Sequence, residues 1–134
     1  MIKYNIAKAW LKVTGITVIH SIPGRLRICF TGGVKAKNYI QSQKYMFENL
    51  FFYKLNGIEH IEFNPLTLKV LITYDPSLLK EKEIILWLSR LQELLVQLII
   101  QEGKNFDQDI IDRIAARLME EGYVLKKIEK RTVA

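Results

Sequence analysis

Residues 57–76 read GIEHIEFNPLTLKVLITYDP, and this stretch decides the fold. Apolar and polar residues alternate on both sides of a short connection at 64–67, which is the period of two expected of strands with one buried face. The asparagine, proline and threonine of that connection are typical turn residues. The stretch therefore predicts an antiparallel hairpin made of strands 58–63 and 69–74.

The same period of two appears upstream, where residues 25–30 read RLRICF. This alternation puts Arg25, Arg27 and Cys29 on one face of a strand, with the apolar residues between them on the opposite face. Residues 16–19 are also predicted to be extended, and a Pro-Gly pair bends the chain between the two segments.

Two long helices are predicted on either side of the hairpin. An aromatic stripe at helical spacing predicts a helix over 35–55, which Asn56-Gly57 ends. Asp75-Pro76 opens an unusually long and apolar helix over 77–102, because proline suits the first turn of a helix. At 1.5 Å per residue this second helix is longer than a small sheet can cover.

Three further elements are expected outside this region. Asp107 is predicted to cap a helix. Residues 124–128 are predicted to form a last strand, and residues 2–13 a short amphipathic N-terminal helix.

The order of these elements predicts an α+β fold. A strand, a helix, a hairpin, a helix and a strand follow one another as in a ferredoxin-like sandwich, whose antiparallel sheet of βαββαβ type has its helices on one face. The chain is expected to be a single domain over 1–134. Its core is predicted at about 16–76 and 106–129, with the helix at about 77–102 inserted and the N-terminal helix added.

Charge is unevenly distributed along the 134 residues, whose formal net charge is +6. Residues 1–56 contain nine Lys/Arg and one acidic residue, whereas residues 57–134 contain eleven Lys/Arg and thirteen acidic residues. This asymmetry predicts that the first part presents a basic face to an anionic partner. A positive surface that only aids solubility is the open alternative.

The single cysteine, Cys29, excludes an intramolecular disulfide and favours a reducing compartment. The most apolar segment, 84–100, contains Arg90 and Glu93 at mid-length, where charges are costly in a bilayer. We therefore expect a cytoplasmic protein, with contact to a membrane surface left open.

Several short motifs resemble one protein family. They are IPGRLR at 22–27, NGI at 56–58, NPLTLKVLITYDP at 64–76 and EGY at 121–123. Their order and spacing are similar to those of the heavy-metal-associated domain family. The similarity is greatest to the branch without a Cys-x-x-Cys loop, found at the N-termini of some heavy-metal P-type ATPases and as small proteins beside them. The long helix over 77–102 departs from this pattern.

The resemblance implies a role in transition-metal transport, but thiol-based metal transfer is not carried over. In the family, two thiolates lie in the loop after the first strand, whereas residues 31–35 here read TGGVK and contain no soft ligand. Tight capture of copper or zinc needs several such ligands together. His20, Cys29 and His60 are weak candidates for a transition-metal site, and no resident cofactor is expected.

Arg25 and Arg27 are the predicted partner-binding residues, because their strand should place both guanidiniums on the open face of the sheet. Pairing with a sheet carboxylate such as Glu62 is the alternative. Nucleic-acid platforms place aromatic residues on the outward positions of central strands. Those positions here contain none, so nucleic acid is not the expected partner.

The apolar surface of the long helix is the second predicted interface. Homo-oligomerisation is expected through a stripe with heptad-like spacing. That stripe consists of Ile84, Trp87, Leu91, Leu94 and Leu98. Adhesion to a membrane surface, helped by the basic N-terminal helix, stays open.

No constellation of nucleophile, base and oriented partner appears, so an enzyme is not expected. The sequence favours an accessory or adaptor protein of transition-metal homeostasis, with iron among the metals considered, that associates with a heavy-metal P-type ATPase or its membrane compartment. The alternative is an oligomeric scaffold or membrane-surface protein without a metal role.

Overall fold

The computed structural model describes residues 16–30, 34–64 and 66–127. This part of the chain contains six strands: Ile16–Ile22 (β1), Arg25–Phe30 (β2), Tyr53–Leu55 (β3), Ile58–Asn64 (β4), Lys69–Tyr74 (β5) and Leu125–Lys127 (β6). Its helices are Val34–Ser42 (α1), Lys44–Leu50 (α2), Glu81–Leu95 (α3) and Gln108–Glu120 (α4). A π-helical segment, Val96–Gln101, continues α3.

The architecture is mixed α+β, built on a four-stranded antiparallel sheet in the order β1–β2–β5–β4. Both edge strands contain a bulge, between Val18 and His20 in β1 and between Ile58 and His60 in β4. Bulges of this kind interrupt an edge and make it a poorer template for another strand.

The hairpin predicted at the centre of the sequence is confirmed. Asn64 begins the connection, because its Oδ1 accepts hydrogen bonds from the backbone N–H groups of Leu66 (3.0 Å) and Thr67 (3.3 Å). The Leu68 N–H closes the turn on the Asn64 carbonyl oxygen at 2.8 Å. Leu68 has a left-handed φ of +59°, which its buried side chain compensates.

The single helix predicted over 35–55 is instead two helices and a strand. The break lies at Gln43, whose N–H donates to the carbonyl oxygens of both Tyr39 (3.0 Å) and Ile40 (3.2 Å). The Ser42 hydroxyl also donates to the Tyr39 carbonyl oxygen at 2.7 Å, and such local bonds compete with a continuing helix. β3 lies where the predicted helix was expected to end.

The long helix begins at Glu81, not directly after Pro76. Asp75 Oδ1 accepts from the Ser77 N–H at 2.9 Å and from the Ser77 hydroxyl at 2.6 Å, which holds residues 75–77 in a turn. The helix starts where Glu83 Oε1 accepts from the Lys80 N–H at 3.1 Å. At the next helix, Asp107 caps α4 as predicted, by accepting from the Ile110 N–H at 3.0 Å.

The last strand does not belong to the four-stranded sheet. β6 pairs antiparallel with β3 in a separate two-stranded sheet, while β1 occupies the place beside β2. The predicted helix at 2–13, residues 31–33 and residues 128–129 lie outside the described residues.

The helices cover one face of the four-stranded sheet. Leu26, Ile28, Val70 and Ile72 are completely buried against apolar residues of α2, α3 and α4. A contact between aromatic rings joins Phe47 of α2 to Phe106, with ring centroids 5.0 Å apart. Among the described residues, no helix is both long and apolar enough to cross a membrane.

Candidate docking face

The register of the sheet assigns its paired outward positions to three rows, because residues directly opposite each other share a face. We call these positions the open face. From β1 to β4, the first row is Ile22, Arg25, Thr73 and His60; the second is His20, Arg27, Leu71 and Glu62; the third is Thr17, Cys29, Lys69 and Asn64. These residues are exposed or half-buried, whereas the residues between them on the two central strands, Leu26, Ile28, Val70 and Ile72, are completely buried. Ile19 and Glu59, which are exposed at the two bulges, belong to none of these rows.

Arg25 and Arg27 both lie on the open face, at neighbouring positions of the central strand β2. Arg25 is exposed and Arg27 is half-buried. Within the described residues the ion pairs lie on α3 and α4 and at the end of α4, and none involves either arginine. Glu62 is separated from Arg27 by Leu71 and thus by two strand spacings, roughly 10 Å. The structure therefore does not show the pairing with Glu62 that the sequence left open.

Lys69 adds a third cation to the open face. It lies directly opposite Cys29, in the row next to that of Arg27. Glu62 is the only carboxylate among the positions of the three rows. Lys69 alternates with Leu71 and Thr73 along β5, but its place beside Arg27 depends on the register between two strands that are distant in sequence, so the sequence alone did not indicate it.

The two sides of the sheet differ in their charged residues. While the open face is mainly cationic, α2, α3 and α4 with the turn after α4 contain most of the carboxylates of this region. They are Glu48, Glu81, Glu83, Glu93, Asp109, Asp112, Glu120 and Glu121. The same helices also carry Lys44, Lys82, Arg90, Arg113 and Arg117, so the helix side is mixed in charge, whereas the three rows of the open face hold three Lys/Arg residues and one carboxylate.

The three weak metal-ligand candidates are not brought together. His20 lies on one edge strand and His60 on the other, so the sheet separates them by roughly 14 Å. Cys29 lies in a third row, where its thiol approaches the backbone carbonyl oxygens of Phe30 (3.6 Å) and Thr67 (3.8 Å). Among the described residues, no group of three His, Cys, Asp or Glu side chains is arranged to hold a metal ion.

The stripe predicted as an oligomer interface is covered by the chain itself. Ile84, Trp87, Leu91 and Leu94 are buried in the core, and Leu98 packs against it. In this arrangement four of these five side chains offer no surface to a second copy. Helical spacing identified the apolar face of the helix correctly, but the partner of that face is the sheet and α4.

A buried lysine was not anticipated from the sequence. The Lys54 side chain is buried in β3, and its Nζ donates to the Glu59 carbonyl oxygen at 3.0 Å. Burial lowers the pKa of this amine, and the neighbouring Lys126 lowers it further. Its position between Tyr53 and Leu55 in an apolar stretch is the sequence signal that could have indicated burial.

Comparisons of this chain with models of protein families, with curated proteins and with solved structures returned no match.

Proposed function

We propose that this chain is a non-enzymatic accessory protein of transition-metal homeostasis, with iron among the candidate metals. In this role it docks through its open face onto a heavy-metal P-type ATPase, at the cytoplasmic surface of the membrane that holds the ATPase. The observation that carries the proposal is the pair of outward arginines on β2, which have no ion-pair partner among the described residues. The link to metal transport comes from the motifs at 22–27, 56–58 and 64–76, which resemble those of the heavy-metal-associated domain family.

The proposal includes membership of the heavy-metal-associated domain family as a variant of the ferredoxin-like sandwich. In support, β2, the helices α1 and α2, the short strand β3, β4 and β5 follow one another, and β5 lies between β2 and β4 in the sheet. In the proposed variant, β2, the two helices, β4 and the intervening β5 correspond to the split β-α-β arrangement of that sandwich. In the proposed variant, β1 replaces the C-terminal strand beside β2.

Docking, not metal capture, is the activity that these side chains can perform. A guanidinium presents a rigid fork of donors that matches a carboxylate, and it stays charged at every physiological pH. The metal is the cargo of the proposed partner, and no step is assigned to it on this chain.

Binding to the purified metal-binding and cytosolic domains of a heavy-metal P-type ATPase tests the proposal. We expect the double variant Arg25→Glu/Arg27→Glu to weaken this binding by about tenfold or more, because each change replaces an attraction by a repulsion. Lys82→Glu/Lys104→Glu is the matched control, with the same change of net charge at two exposed positions away from the open face. Equal binding by both double variants would contradict the proposal.

A membrane-surface protein without a metal role is the second candidate. The observation that favours it is the exposure of two isoleucines on the edge strand β1, Ile19 and Ile22, each 46% exposed, of which Ile22 lies directly opposite Arg25. Apolar side chains next to cations are typical of surfaces that bind anionic lipid. Sedimentation with phosphatidylserine vesicles, in the absence of any ATPase, would favour this candidate.

A further inference from the structure

We infer that the open face binds a short acidic segment of a protein that also carries an apolar residue, in preference to phosphate-rich ligands. This inference rests on the proposed function and specifies the chemistry of the partner. It starts from Leu71, which lies half-buried at the centre of the open face in the same row as Arg27. Interfaces commonly place an apolar contact at the centre and charged contacts around it.

The charged residues surround Leu71 unevenly. Arg27 is directly opposite Leu71 on β2, and Lys69 and Arg25 lie in the rows on either side. On the β4 side, Glu62 is the direct neighbour of Leu71. A ligand is therefore attracted over β2 and repelled over β4 if it is negative throughout.

This one-sided arrangement separates the possible ligands. A nucleic acid backbone or an anionic membrane is uniformly negative, so part of it would have to approach Glu62. A protein segment can place its carboxylates over β2, an apolar side chain on Leu71 and a neutral or basic residue beside Glu62. The two central strands also offer no outward aromatic side chain on which a base could stack.

The open face is smaller than the surface that each partner usually buries in a stable complex. Four strands about 4.8 Å apart and six residues long cover on the order of 400 Å², about half of what each partner buries in a stable complex. We therefore expect a weak, fast and salt-sensitive interaction, since it depends on exposed charges.

Fluorescence anisotropy with a labelled peptide tests this inference. The probe is Gly-Ser-Glu-Glu-Glu-Leu-Ser-Lys-Gly-Ser, whose carboxylates all lie on one side of the leucine, and its two control peptides replace either all glutamates by glutamine or the leucine by serine. We expect wild-type protein to bind the probe about tenfold more tightly than the glutamine peptide and several-fold more tightly than the serine peptide. Arg25→Glu/Arg27→Glu should abolish binding, Lys82→Glu/Lys104→Glu should preserve it, and Leu71→Ser should remove the preference for leucine.

Parallel titrations with oligothymidylate and with phosphatidylserine vesicles supply the competing outcomes. Arginine-dependent binding of either one, as tight as that of the peptide, would overturn the inference in favour of phosphate recognition. Absence of peptide binding would also overturn it, while arginine-dependent binding to the ATPase would leave the proposed function intact. Conversely, if the protein bound the peptide but not the ATPase, the proposed function would be wrong, while the inferred preference for an acidic segment with an apolar residue would stand.

Discussion

Gly57 lies in the turn between β3 and β4, where both backbone and packing require glycine. Its φ is +107°, a left-handed value that side chains with a Cβ rarely adopt. A Cβ at this position would lie 2.8 Å from Leu79 Cγ and 3.2 Å from Leu78 Cβ. The turn therefore approaches the segment before α3 as closely as a backbone without a side chain allows.

We expect Gly57→Ala to lower the free energy of unfolding by about 2–4 kcal/mol, combining backbone strain with the displacement of buried Leu79. Gly122→Ala is the matched control, because Gly122 has a similar φ of +99° but nothing within 4 Å of the position that a Cβ would occupy. It should cost about 1 kcal/mol, from backbone strain alone. Urea denaturation of both variants measures the difference, and equal losses would show that Leu79 moves aside at little cost.

The face of the strand on which Arg27 lies could be predicted from the sequence. The period of two in residues 25–30 is enough to place both arginines on the opposite face from Leu26 and Ile28, and the structure confirms this placement. This alternation cannot identify the neighbours of the arginines, because Leu71 and Lys69 lie next to them only as a result of the register between β2 and β5.

At the scale of elements, the sequence predicted strands better than helix boundaries. The hairpin of β4 and β5 follows from local alternation and a turn stabilised by its own Asn64 side chain. In contrast, β3 forms because residues about 70 positions later pair with it, and no local pattern contains that information. The start of α3 was missed for a different reason, because the Asp75 side chain bonds locally to Ser77 and competes with helix formation.

The end of α4 is joined to α3 by a network of ion pairs. Arg90 of α3 donates through Nε and Nη2 to the two carboxylate oxygens of Glu121, both at 2.6 Å, and Arg117 Nε donates to Glu121 at 2.9 Å. These hydrogen bonds, mainly those from Arg90, lower the pKa of Glu121 to about 2. The bidentate geometry makes this pair more favourable than an ordinary surface ion pair.

We expect Glu121→Gln to lower the free energy of unfolding at neutral pH by about 1 kcal/mol, because the carboxylate is partly exposed and water screens the pair. The folded-state pKa lies below that of an unfolded glutamate. The stabilisation is therefore complete above pH about 4.5 and disappears as the pH falls toward 2. Urea denaturation at pH 7 and at pH 3 should show the difference between variant and wild type shrinking.

Asp109→Asn provides the control for this pH dependence. Asp109 pairs with Arg113 on the exposed side of α4, where side chains are more than half exposed, so its replacement should change stability little. A Glu121→Gln variant whose deficit stays constant between the two pH values would show that the loss comes from packing and not from charge.

At the scale of the whole molecule, one core connects all the elements described. Residues of β2 and β5, of α2, α3 and α4, and Leu55 of the small sheet pack in a single apolar cluster. The bond from the Asn56 N–H to the Val124 carbonyl oxygen at 2.8 Å extends the pairing of β3 with β6 by one position. A chain with one continuous core is expected to unfold in one cooperative step.

Burial of the α3 stripe in this core bears on whether the chain folds as a monomer or only as an oligomer. If the stripe formed by Ile84, Trp87, Leu91, Leu94 and Leu98 joined two copies, unfolding would include dissociation, and the urea midpoint would rise with protein concentration. Because four of these side chains are buried within one chain, we expect the midpoint to stay constant between about 1 and 100 μM. In a Trp10→Phe variant, whose remaining tryptophan is the buried Trp87, far-ultraviolet circular dichroism and tryptophan fluorescence should give coincident curves, since Trp87 reports on the contact between α3 and the rest of the core. A midpoint that increases with concentration would instead mean that copies of the chain associate through a surface other than this covered stripe, or that α3 leaves the core to pair with a second copy.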